Sequence, residues 1–199
     1  MTRFERQTRT IMTDLKTRAE PNNDEMVIEG YFAVFNQETE LWKGAFEEIA
    51  PTAFDKTLGG DIRALINHDT TLVLGRNKAG TLELKVDSHG LYGIIKINPK
   101  DMDAVNLYER VKRGDVDQCS FGFFIAKETT DWRDDGTVKW TIEEVELFEV
   151  SVCTFPAYED TGVQARSKQV EQYKEKQSQY RKNKMKERLH NGPKNNNAQ

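Results

Sequence analysis

The sequence predicts an α+β protein, mainly β: a largely antiparallel, closed or strongly curved sheet with a few flanking helices. Two observations carry this. From Met26 to Ala165, short runs rich in β-branched and aromatic residues alternate with turn signals. Within that body the best helix opens after Asp101, has apolar residues at helical spacing, and stops at Gly114.

The elements follow in order. Thr2 to Arg18 alternates Arg, Thr and Lys with a few apolar residues, and Pro21-Asn22-Asn23-Asp24 is a turn-rich break, so residues 1–25 read as an edge strand or arm. Met26 to Phe35 is a strand whose Gly30 marks a bulge. Phe46 to Ile49 follows, then Ala50 to Gly60, which reads as a short helix with Pro51 near its start and a glycine stop. Ile62 to His68, Gly80 to Val86 and Gly90 to Ile97 are strands. In the helix after Pro99, Asp101 or Asp103 caps the start, and Ala104, Leu107, Tyr108 and Val111 share one face. Cys119–Ala126, Val138–Ile142 and Val145–Phe155 close the body, with a hairpin at Asp134-Asp135-Gly136.

Composition sets limits. The 199 residues, 37% hydrophobic and 31% charged, support one core, assigned to residues 26–166, with solvated appendages. No apolar run approaches the roughly 20 residues of a membrane helix, and no apolar stretch marks a secretory signal near Met1. Cys119 and Cys153 each sit in an apolar run and read as reduced, buried thiols of a cytoplasmic protein; neither has metal-ligand spacing, so no metal site or cofactor is expected. Ser167 to Gln199 holds nine Lys or Arg against three Glu, so the net charge of −4 splits into an acidic body and a basic tail, 167–199. That tail has high helix propensity but no apolar stripe, and it dissolves into Asn, Gly and Pro. It reads as a solvated helical or disordered segment; a basic arm touching nucleic acid or an acidic partner is the second reading.

Three polar side chains stand out in apolar, β-prone runs: His68, Ser120 and Glu149. Alternation puts His68 on a face with Ile62, Ala64 and Ile66, and Glu149 on a face with Val145, Leu147, Ser151 and Cys153. A carboxylate on such a face must be paired or hydrogen-bonded. Each residue alone has a structural reading, as a satisfied core histidine, a sheet serine and a buried ion pair. Together they are the residue types of a base, a nucleophile and an orienting group in acyl transfer, although alternation alone does not exclude Glu146, on the opposite face, as the carboxylate. Gly122, two residues beyond Ser120, would let a substrate backbone approach closely.

The motifs around them resemble the prohead serine protease family of tailed bacteriophages, related in fold to the herpesvirus assemblins. The resemblance runs through Ile28-Glu29-Gly30-Tyr31-Phe32-Ala33-Val34-Phe35, Glu48-Ile49-Ala50-Pro51-Thr52-Ala53-Phe54, and Asn67-His68-Asp69 with Leu74-Gly75-Arg76. It continues with Gly90-Leu91, Ser120-Phe121-Gly122-Phe123 and Glu149-Val150-Ser151 with Pro156-Ala157-Tyr158. Thr52 stands where the family usually has glycine. The resemblance implies an assemblin-like barrel with Ser120 as nucleophile, His68 as general base and Glu149 orienting the histidine. A backbone N–H near Phe121-Gly122 is the oxyanion candidate, with Arg76 as a speculative aid.

The family also implies residence inside the immature capsid in the host cytoplasm, cleavage of scaffold or of the N-terminal region of the major capsid protein, self-cleavage, and a homo-oligomer, a dimer by analogy. Two rivals belong to other classes: a cysteine hydrolase using Cys153 or Cys119, and a non-catalytic capsid scaffold or assembly module.

Overall fold

The computed structural model describes residues 6–12, 15–20, 23–155 and 161–190. In chain order the strands are β1 (Gln7–Met12), β2 (Lys16–Glu20), β3 (Asn23–Val34), β4 (Thr39–Trp42), β5 (Ala45–Ile49), β6 (Arg63–Ile66), β7 (Asp69–Arg76), β8 (Leu82–Val86) and β9 (Gly90–Lys96). Helix α1 (Met102–Arg113), the long strands β10 (Gln118–Trp132) and β11 (Val138–Cys153), and helix α2 (Thr161–His190) complete the chain. All the strands and α1 lie in one compact unit, Thr2–Thr161; Gly162–Gln199 form a second. The Pro156-Ala157-Tyr158 part of the closing motif lies outside the described residues.

The first unit is mainly β, but it is not the closed, largely antiparallel barrel the sequence suggested. It has two open sheets. One is seven-stranded, in the order β1-β10-β11-β5-β4, with β6 and β7 continuing from β11; the other is β2-β3-β9-β8. Neither closes on itself, and the larger is mixed, because β5 and β6 both pair parallel to β11. A parallel pair is joined through a distant part of the chain, so no turn signal announces it. The core lies between the sheets, where Ile28 and Phe32 of β3 and Leu91 and Ile95 of β9 join Phe121 of β10, Val150 and Val152 of β11, and Leu107 of α1.

Ala50 to Gly60 is not the short helix expected. Its N–H groups at Ala53, Asp55, Thr57 and Gly60 each bond only three residues back. Three of its groups serve β11 instead. Ala50 N–H donates to Ile142 O, Ala53 O accepts from Val145 N–H, and Thr57 Oγ1 accepts from Leu147 N–H at 2.7 Å. The segment thus fills the gap along β11 between its β5-paired and β6-paired stretches, and satisfies backbone groups that would otherwise be orphaned in the core.

Strands β4 and β7 lie where the sequence marks none, and the two runs expected from Val138 and from Val145 form the single strand β11, whereas α1 and the turn before β11 lie as expected. Asp101 caps α1 by accepting from the Asp103 and Ala104 N–H groups, Gly114 ends it at φ 83°, and Ala104, Leu107, Tyr108 and Val111 are its buried face. The Asp134-Asp135-Gly136 turn joins β10 to β11. Helix α2 is 30 residues long, and its described side chains from Glu171 to Lys186 are almost all exposed. No described helix is long and apolar enough to cross a membrane.

Candidate active site

The register of β10 against β11 sorts their side chains onto two faces. Cys119 pairs with Val152, Phe121 with Val150 and Phe123 with Leu147, and all six pack in the core. Ser120 pairs with Ser151 and Gly122 with Glu149, so these four share the opposite face. The register slips by one between Gly122 and Phe123, leaving Phe148 as an extra residue on β11. That bulge corrects the alternation read from the sequence. Leu147 and Val150 both face the core, and Glu149 is turned away from Leu147 towards Ser151 and Ser120.

His68 is not at the end of an apolar strand face. Strand β6 stops at Ile66, and Ile66 pairs with Asp69 across a two-residue turn. Asn67 and His68 are that turn, at φ 49° and 62°. Two successive positive φ values define a type I′ hairpin turn, which asparagine tolerates and histidine enters at some cost. The turn is fastened to the end of β11. Asn67 N–H donates to Val152 O at 3.0 Å, Thr154 N–H donates to Asn67 Oδ1 at 2.9 Å, and His68 N–H donates to Ser151 Oγ at 3.2 Å.

Pinned there, the imidazole reaches back along β11 to Glu149. His68 Nδ1 lies 2.6 Å from Glu149 Oε1. Glu149 is 1% exposed, so its charge must be answered locally. Arg6 Nη2 donates to the same oxygen at 3.2 Å, and Ser151 Oγ donates to Oε2 at 2.6 Å. A carboxylate only accepts, so the proton between it and the imidazole belongs to Nδ1, which leaves Nε2 with its lone pair. Nε2 is buried and has no hydrogen-bond partner among the described residues.

Gly122 has a different use from the one expected. A Cβ built there would stand 2.9 Å from both Glu149 Cδ and Phe148 Cε2, and nearer still to Glu149 Oε1. The glycine makes room for the carboxylate.

Ser120 lies on the same face, fully buried. Its hydroxyl donates to the Arg9 carbonyl at 2.9 Å, across the antiparallel pairing of β1 with β10 that sets Thr10 opposite Ser120. Arg9 is held in turn by the buried Glu47 and by Gln7 Oε1. The fold therefore brings His68, Glu149 and Ser120 to one side of the sheet. It joins the first two by a hydrogen bond and leaves the serine hydroxyl engaged elsewhere.

The remaining candidates fall outside this cluster. The Phe121 ring is in the core, and its backbone lies in a strand paired on both sides, by β1 and β11. Arg76 forms a two-pronged pair with Asp61, at 2.7 and 2.8 Å, on β7, the strand farthest from Ser120 in the run β10-β11-β6-β7. Burial pushes the Cys153 thiol up to about 12, with the Glu149 charge adding to the shift, and raises the Cys119 thiol well above its ordinary value. Neither is a thiolate near neutral pH. No cluster of three metal-ligating side chains occurs among the described residues.

Sequence reasoning overlooked Ser151, Arg6 and Arg9. Ser151 was within reach, since it stands two residues from Glu149 in one strand; the two arginines carry no local signal.

Comparison with known proteins identifies relatives of this chain. Residues 13–176 match the caudovirus prohead serine protease family. The prohead protease of Enterobacteria phage HK97 is 32% identical over 143 residues, which cover 70% of this chain. The chain spans 59% of the length of that relative. Among solved structures, the bacteriophage T4 capsid assembly protease, gp21, aligns over 75% of this chain and 99% of its own, with a TM-score of 0.47 and 10% identity. With the family match extending over well more than half its length, the chain belongs to the caudovirus prohead serine protease family.

Proposed function

We propose that the chain is a serine endopeptidase of phage capsid maturation, with Ser120 as nucleophile, His68 as general base and Glu149 as the group that orients and balances the histidine. The observation that carries this reading is the 2.6 Å contact of His68 Nδ1 with buried Glu149, which fixes the tautomer whose Nε2 can take a proton. In the resting arrangement the Ser120 hydroxyl donates its hydrogen bond to the Arg9 carbonyl. Catalysis requires the hydroxyl to turn about χ1 towards Nε2, together with an opening of the face that buries it.

Once turned, Oγ attacks the scissile carbonyl carbon while its proton passes to Nε2. The imidazolium so formed is stabilised by Glu149, whose charge is already desolvated and held by Ser151 and Arg6. Collapse of the tetrahedral intermediate breaks the C–N bond, and the Nε2 proton goes to the leaving amine. Water then repeats the sequence on the acyl-Ser120 ester and frees the acid. The oxyanion needs donors that the two-sided pairing of Phe121 and Gly122 does not offer at rest, so the shift that exposes Ser120 must also free a backbone N–H. The high thiol pKa values of Cys119 and Cys153 weigh against the cysteine-hydrolase alternative.

Family membership supports a substrate in the immature capsid, the major capsid protein or its scaffold, met inside the prohead in the host cell. We assign residues 26–166 to the protease domain, residues 1–25 to an arm, and residues 167–199 to a basic tail removed by self-cleavage; the active form is a dimer. Co-expression with the capsid subunit, read by intact mass spectrometry, tests these assignments together. Wild type should trim the subunit and shed its own tail, whereas Ser120→Ala should do neither, with cleavage down about 10,000-fold or more. A Ser120→Ala protein that still processes the subunit overturns the protease reading; an uncut tail in an active wild type overturns only the self-cleavage assignment.

A further inference from the structure

We infer that Ser151 is a positioning residue of the catalytic apparatus, a fourth member that couples the histidine's backbone to the glutamate's carboxylate. The inference rests on the serine-protease reading above and deepens it. Ser151 is fully buried and is the register partner of Ser120 on the same face of the sheet. Its single hydroxyl proton goes to Glu149 Oε2 at 2.6 Å, since the carboxylate cannot donate. Its oxygen accepts the His68 backbone N–H at 3.2 Å. Both of its hydrogen bonds therefore end on the two residues that must be held against each other, one two positions away on β11 and the other 83 residues distant.

A serine that merely fills a place in a sheet would spend its hydroxyl on a nearby carbonyl. This one supplies two constraints that the Glu149–His68 pair lacks. The terminal torsion of a glutamate is soft and roughly two-fold. Placing His68 and Arg6 on Oε1 and Ser151 on Oε2 fixes the carboxylate plane, so that Oε1 stays on the Nδ1 axis. His68 also occupies a left-handed backbone conformation, φ 62°, and the bond from its N–H to Ser151 helps keep it there. Without Ser151, Oε2 is a buried charged oxygen that has lost a donor, and the His68 N–H is a donor without an acceptor.

The test reads the reactivity of Ser120 directly, so it needs no knowledge of the natural substrate. A fluorophosphonate should label full-length wild type at Ser120, located by peptide mass spectrometry. Ser151→Ala should slow labelling about 10- to 100-fold. Ser151→Cys, nearly isosteric but a weak donor, should slow it similarly and guards against a cavity effect of alanine. Ser151→Thr, which keeps the γ-oxygen, should return the rate to within a few-fold of wild type. In a Glu149→Gln background, Ser151→Ala should cause a smaller further loss, because one of the serine's two bonds acts through the carboxylate. Circular dichroism reports whether each variant is folded. Wild-type labelling rates in folded Ser151→Ala and Ser151→Cys overturn the inference, as does an equal, additive loss in the Glu149→Gln background. Failure of wild type to label at Ser120 overturns the protease reading itself, which keeps the two failures distinguishable.

Discussion

At the scale of single residues, the site is decided by what surrounds one carboxylate. Glu149 is nearly inaccessible to water, yet it is stabilised by three donors: the His68 imidazole, the Arg6 guanidinium and the Ser151 hydroxyl. Space for it comes from an atom that is absent, the Cβ of Gly122. Gly122→Ala should therefore act as a catalytic mutation although the glycine has no side chain of its own. The new methyl must displace the carboxylate or bend β10, and overpacking of this kind costs about 1–3 kcal/mol of stability. The expected result is a folded protein, with a lowered urea midpoint, whose fluorophosphonate labelling at Ser120 falls about 100-fold. Unchanged labelling would mean that Glu149 does not orient His68. Of this cluster, the sequence alone revealed His68, Ser120 and Glu149, because each is a polar side chain in an apolar run. It hid Arg6 and Arg9, whose places depend on β1 lying along β10, a contact with more than 100 residues between its partners.

At the scale of elements, two departures from regularity build the site, and neither could be read from periodicity. The bulge at Phe148 reverses the alternation of β11 midway, so that one strand presents Leu147 and Val150 to the core and Glu149 to the site. A one-residue slip leaves the composition of a strand unchanged while it moves every later side chain to the other face. The type I′ turn at Asn67-His68 aims the imidazole, where a strand continued to His68 had been expected. Its asparagine was the available sign, since a two-residue turn with positive φ favours Asn at the first place. Helix α1, by contrast, was legible residue by residue, because cap, stop and apolar face are all local features. The parallel pairing of β5 and β6 with β11 was not, and short β-prone runs separated by turn signals suggested a closed or strongly curved antiparallel sheet instead. The turn makes its own prediction. Asn67→Val puts a β-branched residue at φ 49° and removes the side-chain bonds to Thr154. It should cost about 1–2 kcal/mol in chemical denaturation, and it should slow Ser120 labelling, because the same backbone carries His68. Asn67→Gly, which accepts the backbone angle, should lose less of both. Equal losses for the two variants would place the cost in the side-chain bonds rather than in the turn.

At the scale of the whole molecule, the two cysteines tie stability to pH. Both thiols lie at the β10–β11 seam, with Cys119 in the core and Cys153 two strand positions past Ser151. Burial raises both, Cys153 to about 12 and Cys119 well above its ordinary value, whereas an unfolded thiol titrates near 8.5–9. Between roughly pH 9 and 12 the unfolded chain therefore binds fewer protons than the folded one, and stability must fall as pH rises through that window. Each thiol contributes a slope approaching about 1.4 kcal/mol per pH unit once the unfolded form is ionised. Tyrosine and lysine begin to titrate above about pH 9, and Tyr31 and Tyr92 are raised as well, so the thiol effect is read as the difference in slope between wild type and a cysteine-free variant in urea denaturation between pH 8 and 10. The double variant Cys119→Ala, Cys153→Ala should be less stable at pH 7, since it leaves cavities in a close-packed seam, and yet flatter across pH 8 to 10. A wild type with constant stability over that range, or a double variant with the same slope, would show that the seam opens to solvent in the native state. The same seam carries Ser120 and Ser151 on the face opposite Cys119 and shared with Cys153, so native-state opening there would expose Ser120 as well as the thiols. Alkylation of native protein near neutral pH distinguishes the cases: a closed seam leaves both cysteines unmodified, and an opening one labels them at the rate at which Ser120 becomes accessible.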